Sequence, residues 1–250
     1  LISHEEIEMT DTTLPILPEN PSLLTRVRLG YKALLVAKDD PANPEAGARI
    51  NDCFEQEVYV KLAEMMRAHP IGKQIMEERL SLEAGDVDLE ALENMPEGTL
   101  GHELAVYYRE NHIAPFSTDQ PLRNDIDYIS KRYRETHDIY HLLTGYGTDV
   151  MGEMELQAFV RGNLGIRAPL MILPFGFLAS RFGASIAGST ENVEPFALTE
   201  YVSAVRAAKK RGESLGPLIA IRFEDHWERP VEDLRREFLD AGDAPTNARG

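Results

Sequence analysis

The residues best placed to do chemistry lie between His137 and Glu153, in the run His-Asp-Ile-Tyr-His-Leu-Leu-Thr-Gly-Tyr-Gly-Thr-Asp-Val-Met-Gly-Glu. His137 and His141 are four apart, so on a helix they share one face and their imidazoles can converge on one ion. Gly145-Tyr146-Gly147 is a helix breaker, and Thr148 stands where it could cap a second helix. If that helix folds back antiparallel, Glu153 arrives beside the histidines as a carboxylate ligand. Two histidines and one carboxylate form a recurrent ligand set for zinc and for non-haem iron. A His-x-x-x-His pair by itself can be two unrelated histidines. Here the glycine hairpin, the adjoining Asp138 and the acid-rich stretch Asp149, Glu153, Glu155 favour the metal.

The elements around this run read as helices. Ser22 caps a predicted helix whose apolar positions Leu23, Leu24, Val27, Leu29, Leu34, Leu35 and Val36 fall mostly on one side, ending at Asp39-Asp40-Pro41. A second is predicted from Ala46 to about Ala68 and a third over Ile71 to Leu80. Pro96-Glu97-Gly98-Thr99-Leu100-Gly101 forms a turn with Thr99 as the cap of a helix to about His112, and Gly98 and Gly101 serve turning or close packing. From about Asp125 a helix carries Ile126, Ile129, Tyr133, His137, Tyr140 and His141 on one stripe, which must face inward. There an unpaired imidazole would be costly to bury. Further helices are expected after Thr148, over the apolar stretch Ala168 to Ala179, over Leu198 to Arg211 and over Val231 to Phe238. No window shows strand alternation and no repeat of fixed period appears. The expected fold is an all-α, single-domain multi-helix bundle with a helical hairpin carrying the metal-site signature. Residues 1–20 are expected as a flexible arm, 21–240 as the helical domain and 241–250 as a flexible tail.

The 250 residues are 43% hydrophobic, enough for a core, and carry a formal charge of -16. That charge repels phosphate backbones and argues against nucleic acid as a partner. The single cysteine, Cys53, excludes an intrachain disulfide framework and suits a reducing cytoplasm. No apolar run is long enough to span a bilayer. Residues 1–20 have the features of neither a secretory signal nor a transit peptide, and with Leu1 leading, Met9 is a candidate natural start.

His-Asp-x-x-His, then eleven residues, then Glu resembles the signature of the coenzyme Q biosynthesis Coq-four family, matched by His137, Asp138, His141 and Glu153. The turn at Pro96 to Gly101 is similar to that family's Pro-x-Gly-Thr-x-Gly, and the order of elements is similar from about residue 22 to 238. The resemblance implies a bacterial-type, all-helical protein that acts on or beside polyprenylated ring intermediates of ubiquinone synthesis. It implies a divalent metal, zinc first and iron or another transition metal second, at those four positions. It also implies a homodimer that contacts other synthesis proteins and lies peripherally on the inner membrane from the bacterial cytoplasm. Two roles follow from it: oxidative decarboxylation, in which a hydroxyl replaces the ring carboxyl, and a non-catalytic lipid-binding scaffold. An unrelated metal-dependent hydrolase is the remote alternative, weakened because Asp138 is one methylene shorter than the Glu of His-Glu-x-x-His enzymes. On a regular helix Asp138 lies about 100° from His137, so ligand, orienting partner and catalytic general base all stay open for it.

The apolar stretch from Ala168, with Leu170, Leu173, Phe175 and Phe177, reads as buried core or as the wall of a prenyl site, kinked at Pro174. Arg123, Lys131, Arg132 and Arg134 read either as solvated helix charges or as an anion site for a carboxylate or phosphate. His4, His69, His102, His112 and His226 show no ligand spacing.

Overall fold

The computed structural model describes residues 14–39, 43–118, 120–170, 173–174, 177 and 196–240. Among the described residues, eleven bounded helices run in order: α1 Leu23–Asp39, α2 Pro44–Phe54, α3 Gln56–Ala68, α4 Pro70–Glu78, α5 Leu89–Glu93, α6 Leu100–Glu110, α7 Asp125–Glu135, α8 His137–Thr144, α9 Val150–Leu164, α10 Leu198–Glu213 and α11 Val231–Phe238. Two 3-10 turns, Leu218–Ala220 and Phe223–Asp225, precede α11. No strand occurs among the described residues, only isolated bridges at Ala84–Val87 and Thr99–Pro230. The protein is all-α, and one core joins Leu62, Ile75, Leu104, Ile129, Tyr140, Phe159, Phe223 and Leu234 from eight elements.

Start and stop signals account for most boundaries. Ser22 Oγ accepts from the Thr25 amide, Asn124 Oδ1 accepts from the amides of Ile126 and Asp127, and glycines 145 and 165 end α8 and α9 at positive φ. The cap of α9 is Asp149, not Thr148: its Oδ1 accepts from Met151 and Gly152. Thr99 occupies the cap position of α6 but spends its hydroxyl on Pro96 O. The Gly98 amide is instead taken by Glu103 Oε1. Gly98 turns at φ 83°, and a side chain on Gly101 would run into Met95 and Leu92. Both glycines therefore do what the sequence suggests.

The predicted helix Ala46 to Ala68 is broken at Glu55, where α2 hands over to α3. The cause lies far away in sequence: Glu55 is fully buried and its Oε1 accepts the amides of Arg167 and Ala168. A smaller interruption at Thr136 divides α7 from α8, and the Thr136 hydroxyl bonds Arg132 O and Tyr140 Oη. The predicted stripe survives it, since Ile129, Tyr133, Tyr140 and His141 are all buried. The apolar side of α1 faces outward, with Leu23, Leu24, Val27, Leu34 and Leu35 exposed. Before α1 the chain is already docked by Leu17, which is buried and accepts from Arg123 Nη1. The rest of the expected arm, residues 1–13, and the expected tail, 241–250, lie outside the described residues.

Candidate metal centre

The site is built by α8 and the first turn of α9, joined by the loop Gly145–Asp149. Two arginines from distant elements secure the end of α8. Arg235 of α11 donates to the carbonyls of Leu142 and Leu143, and Arg211 of α10 donates to Thr144 O while lying over the Tyr146 ring. These bonds satisfy carbonyls that a helix C-terminus leaves without partners. Gly152 lets the loop lie against α9, because a Cβ there would come within 2.2 Å of Gly147 O. Glu153 thus sits at a helix N-terminus, where the helix dipole favours a carboxylate.

His137, His141 and Glu153 bring one ligand atom each within 4.8 Å of one another. His141 Nε2 is 3.1 Å from Glu153 Oε1, and His137 Nε2 is 3.8 Å from Oε2 of the same carboxylate. A tetrahedral ion with bonds of about 2.1 Å needs donors roughly 3.4 Å apart, which these spacings bracket. The two imidazoles meet edge to face, centroids 5.0 Å apart. His141 Nδ1 lies 3.0 Å from Tyr146 O. A carbonyl only accepts, so Nδ1 carries a proton, and Nε2 then turns towards Glu153 a lone pair in the neutral ring or a second N–H in the charged one. That Nε2 is buried and has no well-aligned hydrogen bond despite its distance to the carboxylate. A lone pair facing a carboxylate in a buried site calls for a proton or a cation between them, so the donor set fits a divalent metal.

The electrostatics agree. Burial lowers the His137 pKa, outweighing the attraction of Glu153. Burial would also lower that of His141, but the hydrogen bond and charge of Glu153 prevail and raise it. For Glu153 burial acts upward and the two histidines overcome it, holding the carboxyl below its ordinary value.

Asp138 does not join this group of ligand atoms. It is half-buried, its carboxyl is pushed up by burial against the pull of both histidines, and it accepts a hydrogen bond from the Tyr108 hydroxyl. Tyr107, beside it on α6, stacks on His141 with centroids 5.9 Å apart. Neither tyrosine was marked by ligand spacing. The available signal was that α6 directly follows the Pro96–Gly101 turn.

Of the basic residues before the signature, Arg123 is exposed, as a solvated helix charge should be, whereas Lys131, Arg132 and Arg134 are largely buried in ion pairs, and the four do not form an open anion site. Arg132, fully buried, forms a two-pronged pair with Glu224 and donates to Ile221 O. Lys131 pairs with Glu135 and Glu83, Arg134 with Asp52, and Arg123 with Asp127. His69 caps α4 through Nδ1, and His226 packs on Phe238. Cys53 is buried and free, its thiol pushed up to about 11 by burial. Of the proposed prenyl wall, Leu170 is exposed, Leu173 accepts from Tyr201 Oη at its carbonyl, and the Phe177 ring lies 5.5 Å from that of Tyr201. Phe175 lies outside the described residues. A groove of about 600 Å³ runs between His69 and His226, and none of the ligand residues lines it. No helix among the described residues is long and apolar enough to cross a membrane.

Residues 20–239 match the family described as coenzyme Q (ubiquinone) biosynthesis protein Coq4. The mitochondrial ubiquinone biosynthesis protein COQ4 of Coprinopsis cinerea is 30% identical over 80% of this chain. The aligned part is 65% of that longer protein, just under two thirds of its length. The human mitochondrial COQ4 homologue is 28% identical over 89% of this chain and 80% of its own. Among solved structures, a candidate ubiquinone biosynthesis protein of Nostoc punctiforme superposes with a TM-score of 0.62 at 28% identity. It covers 84% of this chain and 96% of its own.

Proposed function

Because the chain belongs to the Coq4 family of coenzyme Q (ubiquinone) biosynthesis proteins, we propose that it acts on a polyprenylated ring precursor as a metal-dependent oxidative decarboxylase. The observation that carries this reading is the convergence of His137, His141 and Glu153, with Nε2 of His141 facing a carboxylate. These three residues hold the ion, zinc in the first instance. When bound, it supplies Lewis-acid polarisation and neutralises charge on the ring carboxyl.

The remaining roles belong to the chain's own side chains. Asp138, held by Tyr108 beside the ligands and pushed towards its protonated form, is the group that moves a proton at the ring. Tyr107, stacked on His141, offers an aromatic face for the ring to lie against. Leu170, Leu173 and Phe177 line the path of the isoprenoid tail. The ring carbon loses carbon dioxide and gains a hydroxyl, a two-electron oxidation, so an assay must include an oxidant such as dioxygen with an electron donor. We further propose peripheral membrane contact, association with other ubiquinone-synthesis proteins and a homodimer, for which light scattering should give twice the 28.1 kDa of one chain.

Native mass spectrometry with elemental analysis should find one ion per chain, and none in His141→Ala. The loaded protein should release carbon dioxide from a carboxylated polyprenyl-phenol. No release in the complete mixture would sink the decarboxylase reading. The lipid-binding scaffold draws support from one observation: the candidate ligands come from both α8 and α9, so an ion held there would also cross-link the hairpin. It gains if His141→Ala unfolds the chain while a folded variant, Asp138→Asn, still sustains ubiquinone synthesis.

A further inference from the structure

Helix α1 presents to solvent the face that a helix of a globular protein normally buries. At 100° per residue, Leu23, Leu34, Val27, Tyr31, Leu24 and Leu35 follow one another round an arc of about 120°. Each of the six is between 39% and 78% exposed. The helix is held by its other side: Gly30 and Ala33 are buried, Gly30 lies against the Phe54 ring, and Arg26 donates to Cys53 O and pairs with Glu57. Arg28 and Lys32 come next round the helix after Leu35, and among the described residues neither takes part in an ion pair. In a chain of net charge -16, this one helix carries Arg26, Arg28, Lys32 and Lys38 against Asp39 alone. The apolar surface does not stop there. Arg167 shares Glu57 with Arg26, which places exposed Leu170 near the N-terminal part of α1.

An apolar arc with a cationic margin is the pattern of a helix lying in a lipid interface, with its apolar side at the acyl boundary and its basic side chains at the phosphates. Charge decides between this occupant and a second copy of the chain. Stacking two α1 helices would bring Arg28 and Lys32 of both copies together, and the single acid of the helix, Asp39, does not balance its four basic residues. An anionic bilayer supplies the missing counter-charge and would repel most of the remaining, acidic surface. We propose that α1 is the element through which this chain docks on anionic lipid, with the arc from Leu23 to Leu35 inserted and Arg28 and Lys32 in contact with headgroup phosphates. The proposal rests on the surface of α1 and not on the metal, so the ion content of the same variants separates its failure from failure of the metal reading.

Vesicle flotation with the full chain tests it, using phosphatidylcholine alone and phosphatidylcholine with about a third phosphatidylglycerol. The unaltered chain should float with the anionic vesicles and dissociate in high salt. Leu24→Asp with Leu35→Asp should cut partitioning by about tenfold or more, and Arg28→Glu with Lys32→Glu, which leaves the arc intact, should remove the preference for anionic lipid. Circular dichroism and ion content should be unchanged in both, since all four side chains contact solvent. The proposal is overturned if the unaltered chain floats with neither vesicle, or if both double variants float as it does. It is also overturned if the apolar variant converts an oligomer to monomer with vesicle binding intact, for α1 would then be an interface between copies.

Discussion

His141 shows how one side chain acquires a chemical role from its neighbours. Its Nδ1 proton is committed to Tyr146 O, so the nitrogen facing Glu153 offers its lone pair in the neutral ring and a second N–H in the charged one. Asp138, one residue after the other histidine, is held by Tyr108 away from the three ligand atoms. Tyr108→Phe should therefore keep one ion per chain while lowering activity about 10- to 100-fold, whereas Glu153→Gln should lose the ion. Equal loss of metal in both would place Asp138 among the ligands. Glu55 supports a different test. Burial raises its pKa even though the amides of Arg167 and Ala168 pull it down. A carboxyl raised on folding favours the folded state fully below its unfolded pKa, about 4.3, and that contribution fades as pH rises through the folded value. Glu55→Gln should thus gain stability relative to the unaltered chain as pH rises above about 4. Melting temperatures measured across that range should diverge, and a constant difference would contradict the assignment.

At the scale of elements, the glycine and cap signals were legible and the interruptions were not. Gly145 ends α8 and α11 has its predicted bounds, because these depend on local chain preferences. The break at Glu55 depends on two amides more than 110 residues away, and no local pattern announces it. The crossing of α9 and α10 is of the same kind. A Cβ on Gly162 would come within 2.1 Å of Lys209 O, and one on Gly212 within 2.1 Å of Phe159 O. The two backbones touch through this glycine pair, which no spacing argument connected. Gly212→Ala should cost about 1–3 kcal/mol by forcing the helices apart. Urea unfolding would register it, and an unchanged midpoint would show that the crossing is more compliant than its distances imply. Because Arg211, the neighbouring residue, holds the end of α8, the same variant should also weaken ion binding.

For the whole molecule, the ion should be linked to stability. A ligand that binds only the folded chain adds about 2.7 kcal/mol at a hundred times its dissociation constant. In a chain of this size that corresponds to a rise in melting temperature of about 5 °C or more. Scanning calorimetry with zinc and then with a chelator should show the rise and its reversal. His141→Ala should show neither, and a chelator without effect on the unaltered chain would count against a site joining α8 to α9.

The sequence by itself determined the all-helical class and the family and marked His137, His141 and Glu153 as side chains able to converge, because each rests on local periodicity or on short spacing within one hairpin. Tertiary structure decided the tautomer of His141 and the company of Asp138, since Tyr107 and Tyr108 come from another helix. It turned Lys131, Arg132 and Arg134 into buried ion pairs with distant acids, where their sequence neighbourhood suggested solvent or an anion site. It also set the direction of α1. Periodicity reports that a helix has an apolar side, but which side meets the core depends on what packs against it, and here Gly30 and Ala33 take that place.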